Sequence, residues 1–206
     1  MNPADFQPAS AALYQEAIAR FRALFDEAVA AGEPEPAAMT LATADAESRI
    51  SARIVLLKIV DERGFVFFTN YDSAKAAQLA AHPHAALCML WKTLRDGVQV
   101  RVEGVVEKAG AAESDEYFAS RARASRIGAW ASLQSETLPE RAELEARVAA
   151  MEQRFAGGDV PRPENWGGYR LVPDRIELWF GQRARLHDRE LYEANAGVWS
   201  KRLLYP

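Results

Sequence analysis

Residues 50–70 read ISARIVLLKIVDERGFVFFTN, two apolar runs at 54–57 and 65–68 separated by the turn Asp61-Glu62-Arg63-Gly64. Each run is short and apolar at consecutive positions, as expected of a strand covered on both faces. In an antiparallel protein this predicts a barrel closed on itself and packed outside as well as inside. Working outward, AMTLAT (38–43), AALCMLW (85–91) and VQVRVEGVVE (98–107) complete a set of five strands, interrupted by a helix over 73–81. Residues 10–31 keep a helical rhythm through Leu13, Ala17, Phe21, Leu24, Phe25 and Ala28, which Gly32, Pro34 and Pro36 end.

After Glu107 the pattern turns helical, through EYFASRARASRIGAW (116–130) and then ERAELEARVAAMEQRF (140–155). Core packing accounts for the stripe of Leu144, Val148, Met151 and Phe155. The loop GGDVPRPEN (157–165) leads to strands over GYRLVP, RIELWF and VWSKRLLY. The expectation is an α+β chain, a mostly antiparallel barrel with flanking helices, forming a single domain over 1–206 with no linker.

The 206 residues suffice for one sizeable core. A net charge of −4 and a pI near 5.5 argue against nucleic acid as a partner, so an anion site must come from a local cluster of cations. The single cysteine, Cys88, sits in an apolar run and reads as a small buried filler. With no basic-then-apolar start and no run of ~20 apolar residues, the expectation is a soluble, cytoplasmic protein. His82, His84 and His187 show no metal spacing, and neither a G-x-G-x-x-G nor a P-loop nor a G-x-S-x-G occurs.

Tyr117, Arg121 and Ser125 fall at i, i+4 and i+8, so on an unbroken helix a phenol, a guanidinium and a hydroxyl share one face. An Arg fork matches two phosphate oxygens and the hydroxyls can take the remaining lone pairs. A merely solvated helix face, or a break at which Ser125 caps the next segment, explains the same spacing. Further cations stand at Arg53, Lys58, Lys75, Arg185 and Arg189, about enough for two phosphates. Ser73 and Lys75 mark a helix start, where free N–H groups favour an anion. In VQVRVE the valines alternate with Gln99, Arg101 and Glu103, which turns Gln99 toward a partner or ligand. In RIELWF, Trp179 shares the polar face with Glu177, which suits a subunit interface, a flat ligand or a covering helix.

RIVLLK, the YFxSRxRxSxIGAW run with Gln134-Ser135 behind it, WGGYR, IELWF and RLHDR together resemble, from about Met39 to Pro206, the pyridoxine (pyridoxamine) 5′-phosphate oxidase family. The resemblance implies a split β-barrel, FMN as cofactor, and a homodimer with FMN at the subunit interface. It also implies oxidation of pyridoxine or pyridoxamine 5′-phosphate to pyridoxal 5′-phosphate, with O2 reduced to hydrogen peroxide. Matched motif to motif, FMN would be held by Arg53, Ile54, Val55, Leu56, Leu57, Lys58, Phe68, Thr69, Lys75, Gln99, Gln134, Ser135, Trp179 and Arg189. Lys58, Tyr117, Arg121 and Ser125 would take the substrate phosphate, while Arg185, Leu186 and His187 lie against its ring, Arg185 and His187 serving the chemistry. A pairing of Arg185 or His187 with Asp188 that merely stiffens the turn is the alternative. Same-fold oxidases of phenazine biosynthesis, and flavin-binding proteins without catalysis, are the competing functions. The chain departs from the family at Ala74, where an arginine is usual, and in MNPADFQPASAALYQ, where an Arg–Tyr pair closing over the substrate has no match.

Overall fold

A computed structural model of the chain describes residues 3–206, with side chains from Ser10 onward. In order come α1 (Pro3–Ala30), β1 (Ala38–Ala44), β2 (Ile50–Leu56), β3 (Ile59–Asp61), β4 (Gly64–Asn70), α2 (Ala74–Ala81), β5 (His84–Trp91) and β6 (Val98–Lys108). Then follow α3 (Ala111–Ser120), α4 (Arg123–Ala131), α5 (Arg141–Arg154), β7 (Trp166–Phe180), a 3-10 turn (Arg183–Arg185), β8 (Asp188–Asn195) and β9 (Val198–Leu204).

All nine strands join one antiparallel sheet, ordered β2-β1-β5-β6-β7-β4-β3, with β8 added to β7 and β9 to β8. β7 makes this branching possible because it is 15 residues long: its first half pairs with β4 and its second half with β8. The sequence suggests two strands here, split at Pro173. The chain instead runs through, because the register of β6 shifts at Glu103/Gly104 and Gly104 leaves room for it. A Cβ on Gly104 would sit 2.1 Å from the Val172 carbonyl oxygen, so the bulge both needs glycine and lets a proline stand inside a sheet.

The core forms where α1 lays Ala17, Ile18, Phe21, Leu24 and Ala28 against the curled sheet, all buried. Phe21 meets Phe65 edge-on at 4.9 Å, and Trp91, also buried, donates its indole N–H to the Pro36 carbonyl at 2.9 Å. Burying a Phe of this kind is worth about 1.5–3 kcal/mol. α1 is also clasped to the C-terminal strands. Arg20 pairs with Glu190, Lys201 bridges Glu16 and Glu190 at 2.8 and 3.0 Å, and Tyr14 stacks on Trp199 at 5.0 Å.

Three further expectations are corrected, and one strand was not anticipated. ISARIVLLKIV is two strands, because at Leu57 and Lys58 the chain leaves β1: Leu57 N–H donates to Ala37 and Lys58 N–H to Val66, each at 2.9 Å. β2 is not covered on both faces, since Ile50 and Ile54 stand 80 % and 64 % exposed. β8 lacks an alternating pattern and was not legible as a strand. The stripe on α5 is not core: no residue of that helix is fully buried, and Phe155, just past its end, packs on Trp130 of α4 at 5.3 Å.

Candidate functional site

Where β2 leaves the sheet, a cleft of about 550 Å³ opens between it, β4, the start of α2, the α3–α4 junction and the start of β7. Ile54, Val55 and Leu56 form one wall, Phe68 and Trp166 line another part, and Lys58, Thr69, Lys75, Tyr117, Arg121, Ser125 and Gln134 supply the polar groups. Its lining holds three cations and no carboxylate. Concavities of about 630 Å³ lie beside Trp199 and beside Glu113, but the first has no cation and in the second Arg63 is already paired with Asp61.

The α3–α4 junction corrects the expectation of one helix face. Helix stops at Ser120, and Arg121 and Ala122 are extended, at φ/ψ of −72/147° and −54/140°. No glycine or proline forces the break. Ser120 Oγ–H instead donates back to the Tyr117 carbonyl at 2.8 Å, a local bond that competes with helix continuation. α4 is held in its new direction by Arg123 on the Phe155 and Gly158 carbonyls and by Arg126 on Asp159. The break still brings Tyr117, Arg121 and Ser125 to one cleft, with Ser125 in the first turn of α4 rather than two turns along a single helix.

Arg121 Nη1 is buried and has no partner among the described residues. Burial holds its pKa below the ordinary guanidinium value, the Tyr117 phenol opposing weakly. Lys58 is exposed and is in no ion pair among the described residues. At the start of α2, Lys75 Nζ donates to Gln134 Oε1 at 2.7 Å, Thr69 Oγ1 at 3.1 Å and Ser73 Oγ at 3.2 Å, all neutral acceptors. Desolvation, helped by the charge of Arg53, lowers the Lys75 pKa. Ser135, at φ +78°, takes the Ala74 backbone N–H on its Oγ at 3.1 Å.

Arg53 does not line the cleft. Its guanidinium turns under β1, donating to the Leu41 carbonyl, Thr43 Oγ1 and Gln78 Oε1, close enough to Lys75 to add to a shared positive field. Leu57 faces the core. The remaining expected residues form a second cluster on β6, β7 and β8, away from this cleft's lining. Gln99 lies opposite Trp179 and Trp179 opposite Arg189 in the sheet register. Buried Glu177 accepts from Arg189 Nε at 2.8 Å and Arg101 at 3.3 Å, and Arg189 also donates to the Tyr205 carbonyl.

His187 packs on Trp179 at 4.4 Å and accepts the Gln182 backbone N–H on Nδ1, so the neutral ring carries its proton on Nε2. Asp188 is bonded to Gln182 Nε2, not to Arg185 or His187, so the turn is tied through Gln182 rather than by a pairing with Asp188. Ala184 and Arg185 take left-handed backbone, at φ 55° and 61°, with Arg185 and Leu186 exposed. Two consecutive non-glycine residues in this region cost about 1–3 kcal/mol each. Sequence reasoning quoted WGGYR but assigned no role to Trp166, which its place beside two glycines could have flagged. Gly168 keeps clear of Phe68, since a Cβ there would stand 3.0 Å from that ring.

A curled antiparallel half-barrel with flanking helices and a cation-lined cleft at its rim is the architecture of the FMN-binding split-barrel proteins. Residues 25–155 match the family model described as pyridoxamine 5′-phosphate oxidase, and residues 166–206 match the pyridoxine 5′-phosphate oxidase C-terminal dimerisation region. A pyridoxine/pyridoxamine 5′-phosphate oxidase of Xanthomonas oryzae pv. oryzae is 58 % identical over 196 residues, covering 94 % of this chain and 98 % of that one. Its counterpart in Myxococcus xanthus is 55 % identical over 189 residues, covering 92 % and 91 %. The chain belongs to the pyridoxamine 5′-phosphate oxidase family. Among solved structures it is similar to PhzG from Burkholderia lata 383 in complex with tetrahydrophenazine-1-carboxylic acid, with a TM-score of 0.86, 31 % identity and 92 % of each chain covered. The family match reaches back into α1, further than the motifs alone suggest. Of MNPADFQPASAALYQ, where the Arg–Tyr pair has no match, the part before Ser10 lies outside the residues whose side chains are described.

Proposed function

We propose that the protein oxidises pyridoxine 5′-phosphate or pyridoxamine 5′-phosphate to pyridoxal 5′-phosphate. The observation that carries this reading is one cleft holding Lys75 on one group of elements, Lys58, Tyr117, Arg121 and Ser125 on another, and no carboxylate. Two phosphates, one of a flavin and one of a substrate, fit such a donor set better than any neutral ligand. FMN suits the first group: Lys75 with the field of Arg53 for its phosphate, and Thr69, Gln134, Ser135 and the β2 wall for the rest. When bound, FMN would supply the redox chemistry, accepting two electrons from the substrate's C4′ carbon and delivering them to O2 as hydrogen peroxide; with pyridoxamine 5′-phosphate the resulting imine takes up water and releases ammonia to give the aldehyde.

The protein's own part is to bind and orient. Arg121, Lys58, Tyr117 and Ser125 hold the substrate by its phosphate, so remote binding energy places the reacting carbon. Ile54 and Leu56 on the β2 wall stand exposed in the single chain, and a partner copy covering them would close that side to water. Gln99, Trp179, Arg185, Leu186, His187 and Arg189 sit outside the cleft, and we place them in the site of a homodimer, contributed by the partner copy. Support comes from the match to a dimerisation region and from the uncovered apolar row Ile50, Ile54 and Leu56, with Leu90. His187 Nε2–H and Arg185 then face the substrate ring, as donors able to orient it.

The test is aerobic turnover of pyridoxine 5′-phosphate by the FMN-loaded protein, following aldehyde and peroxide together. Equimolar formation supports the reading. Flavin-loaded protein that forms no aldehyde, yet oxidises a reduced phenazine carboxylate, would transfer it to the PhzG-like alternative.

A further inference from the structure

Arg121, half-buried, has no acid to aim it; Arg53 has none either, but its guanidinium is held by the Leu41 carbonyl, Thr43 and Gln78, whereas Arg121 Nη1 has no partner among the described residues. Arg170 is held by Asp61 and Glu113 at 2.5 and 2.7 Å, and Arg126 by Asp159 at 2.6 Å. Arg121 instead stands on extended backbone between two helices, with its guanidinium carbon 4.6 Å from the Trp166 ring centre and 5.4 Å from that of Phe118. A carboxylate would orient this cation but also neutralise it, and would compete with an incoming phosphate. An aromatic face orients it and leaves its edge donors free.

We propose that Trp166 is a positioning residue for the anion anchor: its indole face holds the Arg121 guanidinium in the cleft with Nη1 unpartnered. The proposal rests on the reading above, that Arg121 takes the substrate phosphate. Trp166 is itself rigidly set. It opens β7, donates its backbone N–H to the Pro163 carbonyl at 3.1 Å, and is 6 % exposed. Its ring lies parallel to Phe68 at 5.5 Å and edge-on to Phe118 at 5.0 Å. Phe68 carries the second donor by the same means, stacking on Tyr117 at 4.1 Å and 16°. Aromatic residues on two paired strands thus back both donors from behind, and the glycine at 168 keeps the sheet open for them.

The experiment compares Trp166→Leu and Trp166→Phe in the FMN-loaded protein, measuring kcat and KM for pyridoxine 5′-phosphate and the Kd of pyridoxal 5′-phosphate by calorimetry. Leucine removes the π face, and KM and Kd rise about 2- to 30-fold with kcat and FMN affinity unchanged; phenylalanine restores most of the loss. In an Arg121→Met background the leucine change has no further effect. Equal losses for both substitutions, a loss that persists without Arg121, or FMN affinity falling in parallel would each overturn the proposal. Should Trp166→Leu not fold, the cycle runs on Trp166→Phe, whose smaller rise must likewise vanish in the Arg121→Met background. A wild-type protein that forms no aldehyde would refute the functional reading instead. The role of Trp166 is then decided by inorganic phosphate: weaker binding in Trp166→Leu but not in Trp166→Leu/Arg121→Met supports it, and unchanged binding overturns it.

Discussion

Replacing Arg121 with methionine should weaken substrate binding and change the stability of the fold little, more often upward than downward. The side chain makes no ion pair among the described residues, and its Nη1 is buried without a partner. An unsatisfied buried donor costs about 1–3 kcal/mol, a cost that methionine relieves while keeping an apolar stem over Trp166. Against this stands the lost cation–π contact, about 0.5–2 kcal/mol. The balance lies between a loss of about 1 kcal/mol and a gain of about 2.5 kcal/mol, or between a fall of at most about 4 °C and a rise of up to about 10 °C in Tm for a chain of this size. Binding changes the other way. Each lost hydrogen bond between charged partners is worth about 1.5–3 kcal/mol, so one such bond raises KM for pyridoxine 5′-phosphate about 12- to 150-fold. Scanning calorimetry gives the first quantity and steady-state kinetics with an FMN titration the second. A fall in Tm of more than about 5 °C would show that Arg121 is structural; equal losses of FMN and substrate affinity would show that the wrong phosphate has been assigned to it.

Lys75, with its pKa pulled below the ordinary 10.5 by burial and by Arg53, binds an anion only while protonated. FMN affinity should therefore fall as pH rises through that lowered value, by up to about tenfold per unit beyond it, and flavin fluorescence titrations of Lys75→Met should lose the slope. Gly168→Ala places a methyl 2.7 Å from Ala109 Cβ and 3.0 Å from Phe68; a loss of about 1–3 kcal/mol in denaturant unfolding is expected, and an unchanged midpoint would contradict the packing described. Burial alone would raise the Glu190 carboxyl, but hydrogen bonds from Arg20 and Lys201 outweigh it and hold its pKa below the usual 4.5. The clasp on α1 thus contributes stability above 4.5 that is lost as pH falls through the lowered value. The Tm difference between wild type and Glu190→Gln should close on acidification from pH 6 and persist at neutral pH.

The strands were legible where burial imposed a pattern. VQVRVEGVVE alternates because one face of β6 packs on the core, and it appears in register as read. GFVFFTN is apolar at four consecutive positions, Phe65 to Phe68, because β4 lies inside. β2 deceived because Ile50, Ile54 and Leu56 look like core yet stand on a surface that one chain leaves bare. The long β7 was hidden by Pro173, whose tolerance depends on a glycine 69 positions earlier, at the bulge across the sheet. The donors proposed for phosphate could be read from residue type, but not their geometry: the helix carrying them breaks through side-chain and tertiary bonds that no local signal in YFASRARASR announces. Nor could Trp166 be assigned, because its role lies in a contact with Arg121, 45 positions away in the chain.

The central claim is that this cleft passes electrons from a phosphorylated B6 vitamer to a flavin. The direct measurement is to mix the FMN-loaded protein with pyridoxamine 5′-phosphate in the absence of oxygen and follow the flavin's visible absorption. The account predicts that the yellow colour bleaches with one pyridoxal 5′-phosphate formed per flavin, and that admitting air restores it. Flavin that stays oxidised while the substrate is bound would contradict it.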